Sequence, residues 1–324
     1  MNIFLETKAQ IRDLVNSQVV PGVSYGFISG NKSETDIYGN KSWQLDKEAL
    51  VGDELHDLAS LTKVMGTIPL ILKMIAENKI HLDDPVNRYL PGFKDNRVQL
   101  IHLLTHTSGI DGYIPDRDKL DAQQLIKALL DLPVTANFDR VVKYTDTGLI
   151  FLGLIVEKIY QKPVQQAIVE QILKPWELED TTFEPVESRC IPTYKLNGSF
   201  LTGIPNDPKA RQLGAQCGSA GMFSTLSDVM KFSKIMLEPR FQFLYHNFTK
   251  LNPGRSLGWD IKPDGSGQVL FHTGYTGHFI ALDYQNQTAM VVLTNRVHPI
   301  ENNQIFLNRR DTVLNSFLQE DHVL

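Results

Sequence analysis

Strand-like alternation is confined to the two ends of this sequence, and helical periodicity fills the middle; few folds satisfy that arrangement. Near the start, Val23, Tyr25 and Phe27 alternate with smaller residues over Gly22–Ser29, which reads as a strand. Gly30-Asn31 is a turn signal, and a second strand runs toward Tyr38, giving an antiparallel hairpin. Short alternating runs return only at 256–261, 268–272, 279–284 and 289–294, separated by turns such as Pro263-Asp264-Gly265. Between them lie helical patterns at 100–104, 119–132, 146–160 and 164–173, punctuated by Pro85, Pro91, Pro115, Pro133 and Pro163. Residues 3–18 and 302–318 read as helices at the two ends, and 60–78 as a long, largely buried helix that Pro69 should kink or break. The simplest solution is an α+β fold: one antiparallel sheet built from both ends of the chain, flanked by helices, with an all-helical domain inserted. The expected boundaries are 1–79 plus 216–324 for the sheet domain and 80–215 for the insert.

Composition narrows the function classes. At 324 residues the chain can bury most of its apolar surface without staples. Lys plus Arg number 32 against 37 Asp plus Glu, a net charge of −5, and no basic block occurs. A nucleic-acid partner, which needs a clustered positive face, is therefore excluded from the expectation. The two cysteines, Cys190 and Cys217, have neither CxxC nor metal-type spacing and read as reduced thiols. The first residues lack a basic stretch followed by an apolar one, and the apolar segments 67–75 and 148–156 are too short to span a bilayer. The expected protein is soluble and cytoplasmic, with no metal and no cofactor.

Three segments carry chemistry. The first is Ala59-Ser60-Leu61-Thr62-Lys63. A serine hydroxyl is a weak nucleophile and needs a base within hydrogen-bond reach. Positions i and i+3 of a helix share a face, so Ser60 at a helix start sets Oγ beside the Lys63 amine. The helix N-terminus favours negative charge on a bound oxygen, and a buried lysine near other cations could give up its proton and act as base. S-x-x-K alone is weak: it arises about once by chance in a chain like this. Ser29-Gly30-Asn31-Lys32 is such a copy, set in a hairpin turn where no helix fixes the spacing. The second segment is Lys143-Tyr144-Thr145-Asp146. A phenol beside cations can relay a proton, and Asp146 suits a helix N-cap. The plain alternative makes Tyr144 core and Asp146 only a cap. The third is Phe271-His272-Thr273-Gly274-Tyr275, where Gly274 permits close approach and the backbone N–H of Tyr275 can face a developing oxyanion. Read alone it is equally a glycine-rich hairpin corner.

The ordered set Ser-x-x-Lys, Tyr-x-Asp, His-Thr-Gly resembles the penicillin-recognising serine hydrolases: class C β-lactamases, D-alanyl-D-alanine carboxypeptidases and related esterases. Leu103-Leu104-Thr105-His106-Thr107-Ser108-Gly109 and Gly218-Ser219-Ala220-Gly221-Met222-Phe223-Ser224-Thr225 resemble two further stretches of that family. The resemblance covers roughly residues 5–320. It implies the β-lactamase/transpeptidase-like fold, Ser60 as acylated nucleophile, Lys63 as its partner and Tyr144 as general base. It also implies an oxyanion hole from the N–H groups of Ser60 and Tyr275, with Asp146, His272, Thr273 and Gly274 supporting the site and binding substrate. Two departures stand out. Asparagine usually occupies the position of Asp146, and lysine that of His272. Both changes make the site less positive, so a substrate carrying a free carboxylate is disfavoured. The expected activity is cleavage of a small ester or amide, esterase-like or peptidase-like, with weak β-lactamase activity. The rival expectation is a catalytically silent sensor or binding module on the same fold.

Other residues carry less. His102 and His106 have i, i+4 spacing, but Leu103 stands where a zinc protease needs Glu, so His106 is expected to bond structurally to a loop. Tyr113 is a candidate lining residue of the cleft. Trp176 reads as core, and Glu179-Asp180 as a solvated turn.

Overall fold

The computed structural model describes residues 3–43, 48–263, 267–299 and 304–321. Its main sheet has six strands: β1 (Gly22–Ser29), β2 (Lys32–Gly39), β3 (Asp260–Pro263), β4 (Gln268–Thr273), β5 (Phe279–Asp283) and β6 (Thr288–Thr294). The spatial order is β2-β1-β6-β5-β4-β3, every pair antiparallel. The first and last strands in sequence are thus neighbours, with Val23 opposite Thr294 and Ser29 opposite Thr288. The chance Ser29/Lys32 pair closes the β1–β2 hairpin, as its turn residues require.

Period-two alternation gives the sheet two distinct faces. Val23, Tyr25, Phe27, Val269, Phe271, Phe279, Ala281, Met290 and Val292 pack on one side with helices α1 (Leu5–Asn16) and α6 (Gln304–Asp321). Phe4 ties the layers together: its ring lies 4.9 Å from Phe27 and 5.1 Å from Phe317. The intervening positions, Ile28, Leu270, Ile280, Leu282, Ala289, Val291 and Leu293, join the larger core under the remaining helices. Those helices include α2 (Ile68–Ala76), α3 (Asp146–Tyr160), α4 (Pro208–Leu213) and α5 (Leu226–Met236). α3 is buried continuously from Thr147 to Val156, so the helical segment is organised around it.

Several boundaries differ from the sequence reading. The helix after Ser60 does not break at Pro69. It widens into a π turn over Lys63–Thr67, where the Ile68 N–H donates to the Lys63 carbonyl, and resumes as α2. Pro69, which has no N–H to donate, then sits in the first turn of α2, where a missing donor costs least. Strand β3 begins at Asp260 rather than at 256, because Ser256 Oγ donates to the Leu244 carbonyl and the Gly258 N–H donates to that of Leu104. The helix expected over 119–132 is Ala122–Leu130, with Asp121 and Gln124 forming a reciprocal cap. The expected turn residues Asp264 and Gly265, and positions 302–303 of the closing helix, lie outside the described residues.

Candidate active site

The segment preceding Ser60 is clamped before any catalytic group is placed. Asp57, on a short strand paired with Phe223–Ser224, is buried and takes three kinds of bond. Its carboxylate accepts the Ala59 N–H at 3.0 Å and the Asn206 N–H at 2.6 Å. Its carbonyl accepts Thr276 Oγ1 at 2.7 Å and His278 Nε2 at 2.8 Å. The Thr294 N–H donates to His278 Nδ1 at 3.1 Å, so the proton of that neutral ring is assigned to Nε2. Burial pushes the Asp57 carboxyl up to about 6. The clamp holds Ala59 at φ +46°, a left-handed conformation that a non-glycine residue keeps only under constraint. Ser60 follows, partly open at the head of the helix.

Lys63, one turn on, is fully buried and uses all three of its protons. Nζ lies 2.8 Å from Ser60 Oγ, 2.8 Å from the Ser219 carbonyl and 2.7 Å from Asp146 Oδ1. Burial disfavours its charge, but Asp146 and the Tyr144 phenol outweigh burial, and the ammonium is held above its ordinary range. The sequence reading allowed a buried Lys63 beside other cations to give up its proton; its charged neighbour here is a carboxylate, which favours the ammonium.

Tyr144 and Asp146 enter from the head of α3. Thr145 caps that helix, its Oγ1 accepting the Thr147 N–H at 3.2 Å, so Asp146 is the first helical residue and not the cap expected. That offset frees the Asp146 carboxylate to point at Lys63. Its other oxygen meets Lys209 Nζ at 2.8 Å, and Lys209 also lies 3.7 Å from Asp207. Burial alone would raise the Asp146 pKa; Lys63 and Lys209 override it and hold the carboxyl well below its usual range. Tyr144 is 44% exposed and so is not core. Its ring lies 4.6 Å from His106 and 6.1 Å from His272, with Lys63 Nζ 5.3 Å and Arg255 Cζ 5.6 Å from its centroid.

β4 supplies the opposite wall. By alternation His272 falls on the helix-covered face of the sheet, 6.0 Å edge-on from Trp259. It is 3% exposed, and neither ring nitrogen has a hydrogen-bond partner among the described residues. Burial first, then Arg255 and Lys63, drive its pKa well below the usual histidine value, so the ring is neutral. His272 thus backs Tyr144 rather than opening to a ligand. Thr273 is half-buried at the strand end, and Tyr275 is 49% exposed beyond it. A Cβ on Gly274 would lie 2.5 Å from the Leu58 carbonyl, so only glycine lets this strand end close on the turn that leads to Ser60. Arg296 Nε donates to the Tyr275 carbonyl at 2.6 Å and stacks on its ring.

In front of Tyr144 lies a cleft of about 660 Å³, lined among others by Tyr113, Ile114, Arg117, Leu132, Asp146 and Lys209. Tyr113, 86% exposed, stands at its rim. His106 bonds structurally, its Nδ1 accepting the Thr145 N–H at 3.3 Å, and it also stacks on Tyr144. His102 Nδ1 accepts the Gln99 N–H at 3.0 Å within a helix cap. No group of three or more His, Cys, Asp or Glu among the described residues is placed to hold a metal ion.

Sequence reasoning missed Lys209 and Arg255. Lys209 follows Asp207-Pro208, an N-cap and first-turn pair that announces a short helix and nothing more. Arg255, 4% exposed and paired with Asp260, sits in an irregular stretch without periodicity. Counting charge from Asp146 and His272 alone leaves out both cations.

The comparisons with known proteins bear on the family and the fold. A family model described as Beta-lactamase matches residues 7–311. A Salmonella typhimurium protein named "Putative D-alanyl-D-alanine carboxypeptidase" is 27% identical over 312 residues, covering 78% of this chain and 72% of its own. A solved β-lactamase/D-alanine carboxypeptidase from Pseudomonas syringae superposes with TM-score 0.76 at 17% identity, over 97% of each chain. EstCE1, titled a hydrolase with promiscuous acyltransferase activity, superposes with TM-score 0.76 at 20% identity, over 95% of this chain and 97% of its own. With nearly its whole length matched by the family model and its sheet and helices matched by solved members, the chain belongs to the β-lactamase family.

Proposed function

We propose that this protein is a serine hydrolase that cleaves a small ester or amide through an acyl-enzyme on Ser60. The observation that carries this reading is the 2.8 Å contact between Ser60 Oγ and the buried Lys63 ammonium, beneath Tyr144 at the edge of a cleft. The Asp146 carboxylate 2.7 Å away favours the Lys63 ammonium, which orients Oγ and stabilises negative charge on it. The Tyr144 phenolate is the base left to take the Ser60 proton as Oγ attacks the substrate carbonyl, and the phenol so formed returns that proton to the departing alkoxide or amine, which regenerates the phenolate. Lys63 and Arg255 lie where they favour charge developing on the phenol. The N–H groups of Ser60 and Tyr275 receive the oxyanion, each such donor being worth about 10²–10³ in rate. Water then attacks the acyl carbonyl as the Tyr144 phenolate takes its proton; the bond from the acyl carbon to Oγ breaks, Oγ regains that proton from Tyr144, and the acid leaves.

The neutral, buried His272 offers no charge to a substrate carboxylate, and the two nearby cations, Lys209 and Arg255, are each already paired with a carboxylate, Asp146 and Asp260, which favours esters and amides without a free carboxylate and leaves β-lactams as poor substrates. The names of the relatives, a carboxypeptidase and a hydrolase with acyltransferase activity, bracket the same chemistry.

Intact-mass measurement after a fluorophosphonate label tests the reading. One adduct on the native protein and none on Ser60→Ala is the expected result. No adduct on the native protein, from this reagent or from penicillin, would instead leave a binding module. Parallel assays of p-nitrophenyl acetate, nitrocefin and a D-Ala-D-Ala peptide rank the substrates, and fastest turnover of nitrocefin would refute the charge argument.

A further inference from the structure

We propose that Lys209 is a positioning residue of the site: it anchors the far oxygen of Asp146, so that the near oxygen holds Lys63 against Ser60. The inference rests on the hydrolase reading above. Lys63, Asp146 and Lys209 form an alternating cation–anion–cation row, 2.7 Å and 2.8 Å between successive charged atoms. Each carboxylate oxygen serves a different ammonium. The side chains of Asp146 and Lys209 are only 20% and 17% exposed, so water cannot readily replace either partner.

The geometry at Lys63 explains why the second cation matters. Its three protons go to three different acceptors, Ser60 Oγ, the Ser219 carbonyl and one Asp146 oxygen. A carboxylate free to rotate can present both oxygens to the ammonium and draw its third proton away from Ser60. Lys209 prevents this by engaging the second oxygen from the opposite side. It also keeps Asp146 ionised as the pH falls, since a buried carboxylate with only one cation is more easily protonated. Lys209 is itself fixed: Asp207 caps α4, its Oδ1 accepting the Ala210 N–H at 2.8 Å, and its other carboxylate oxygen lies 3.7 Å from Lys209 Nζ. The preceding residue, Asn206, donates its N–H to Asp57 beneath the nucleophile turn. The Lys209 loop and the Ser60 turn are therefore tied to one buried carboxylate. Lys209 also lines the cleft, but no bond to Ser60 or Tyr144 is needed for it to act through Asp146, so its loss should fall on kcat and not on KM.

The test compares Lys209→Met, Lys209→Arg and Asp146→Asn/Lys209→Met with their parents. It follows p-nitrophenyl acetate turnover from pH 5 to pH 9, with thermal melts to confirm folding. Lys209→Met should lower kcat roughly tenfold or more at neutral pH, the scale of a lost charge-assisted bond, with little change in KM. The deficit should widen toward pH 5 as Asp146 becomes protonatable. Lys209→Arg should restore most of the rate. In the Asp146→Asn background the second substitution should add little. A deficit of equal size at every pH that persists in the Asp146→Asn background would reduce Lys209 to a structural role and overturn the proposal. So would a Lys209→Met protein matching the parent throughout. If Lys209→Met fails to fold, failure of folded Lys209→Arg to sustain turnover near the parental level overturns it. A native protein inert to the ester and to the fluorophosphonate would sink the hydrolase reading and this inference together, whereas an active native protein with an indifferent Lys209 sinks this one alone.

Discussion

The two faces of the main sheet are built by opposite rules. On the side of α1 and α6, alternate residues of the strands interlock with Phe4, Phe306 and Phe317 in an apolar layer. The one polar atom that Tyr25 brings there is spent on Asp36, to which its hydroxyl donates at 2.6 Å. On the other side the strands are equally apolar until β4 reaches its end. There His272, Trp259, Arg255 and His106 bury nitrogens without partners among the described residues. Native interiors rarely leave such groups unpaired, and where they cluster the structure is serving something other than its own stability. One face is apolar throughout; the other carries the larger core and, at the end of β4, a charged site beside Ala59, which is held in a left-handed conformation.

Substitutions on the two faces should separate rate from stability. Tyr144→Phe should cut turnover about 10²–10⁴-fold, the scale of a lost acid–base group, while a melt shows little change because the ring is partly exposed. Parental rates from that variant would remove Tyr144 from the chemistry. Phe27→Ala, in the apolar layer, should do the reverse. It should cost about 3–5 kcal/mol of stability by denaturant titration, with kcat of the folded fraction unchanged. A variant in that layer that lost activity without losing stability would break the comparison.

Acid should attack the polar side first. His278, fully buried and locked between Asp57 and Thr294, is depressed by burial to about 4, and His56, His106 and His272 lie well below the ordinary value. Between the ordinary value near 6.5 and about 4, the unfolded chain binds protons that the folded one refuses, so stability is present above pH 6.5 and is lost as the pH falls. For His278 alone the loss approaches about 3 kcal/mol. Asp57 works the other way: its carboxyl, pushed up to about 6, favours the folded state as it takes up its proton. Six depressed histidines, these four with His102 and His298, against three raised carboxyls, Asp57, Glu157 and Asp228, make net acid destabilisation the expected outcome. Melting temperatures measured between pH 7 and pH 4.5 check it, and a flat or rising profile would contradict the neutral assignment of the buried rings.

The apolar face was legible in the sequence, and the polar face only in part, for a physical reason. Val23, Tyr25 and Phe27 announce β1 because a half-buried strand must alternate, and α3 matches its apolar run from Asp146 to Tyr160 because a buried helix must be apolar all round. The bond between Ser60 and Lys63 was legible too, since three residues of helix fix it locally. What could not be read was any group that joins the site through space. Lys209 is 63 positions from Asp146 and 146 from Lys63. No periodicity connects them, and a lysine after Asp-Pro is an ordinary helix start. The partner of the Lys63 ammonium was hidden for the same reason: Asp146 can face it because Thr145, and not Asp146, takes the cap.

The smallest expected effect tests that last point, because Thr145 belongs to both sides of the comparison. Its hydroxyl does an ordinary structural task, closing the first turn of α3, yet it stands between Tyr144 and Asp146 in the sequence, at the turn from which both side chains project. Thr145→Ala should cost about 1 kcal/mol of stability, the usual loss for an N-cap. On the apolar face a loss of that size would leave activity untouched. Here the head of α3 would relax, the Asp146 carboxylate would leave its place between the two lysines, and turnover should fall by more than the melt suggests. Thr145→Ser keeps the capping oxygen and should recover both quantities. If Thr145→Ala lost stability but kept full turnover, the aim of Asp146 would have to come from its two lysine partners alone, and the cap would be part of the fold and not of the site.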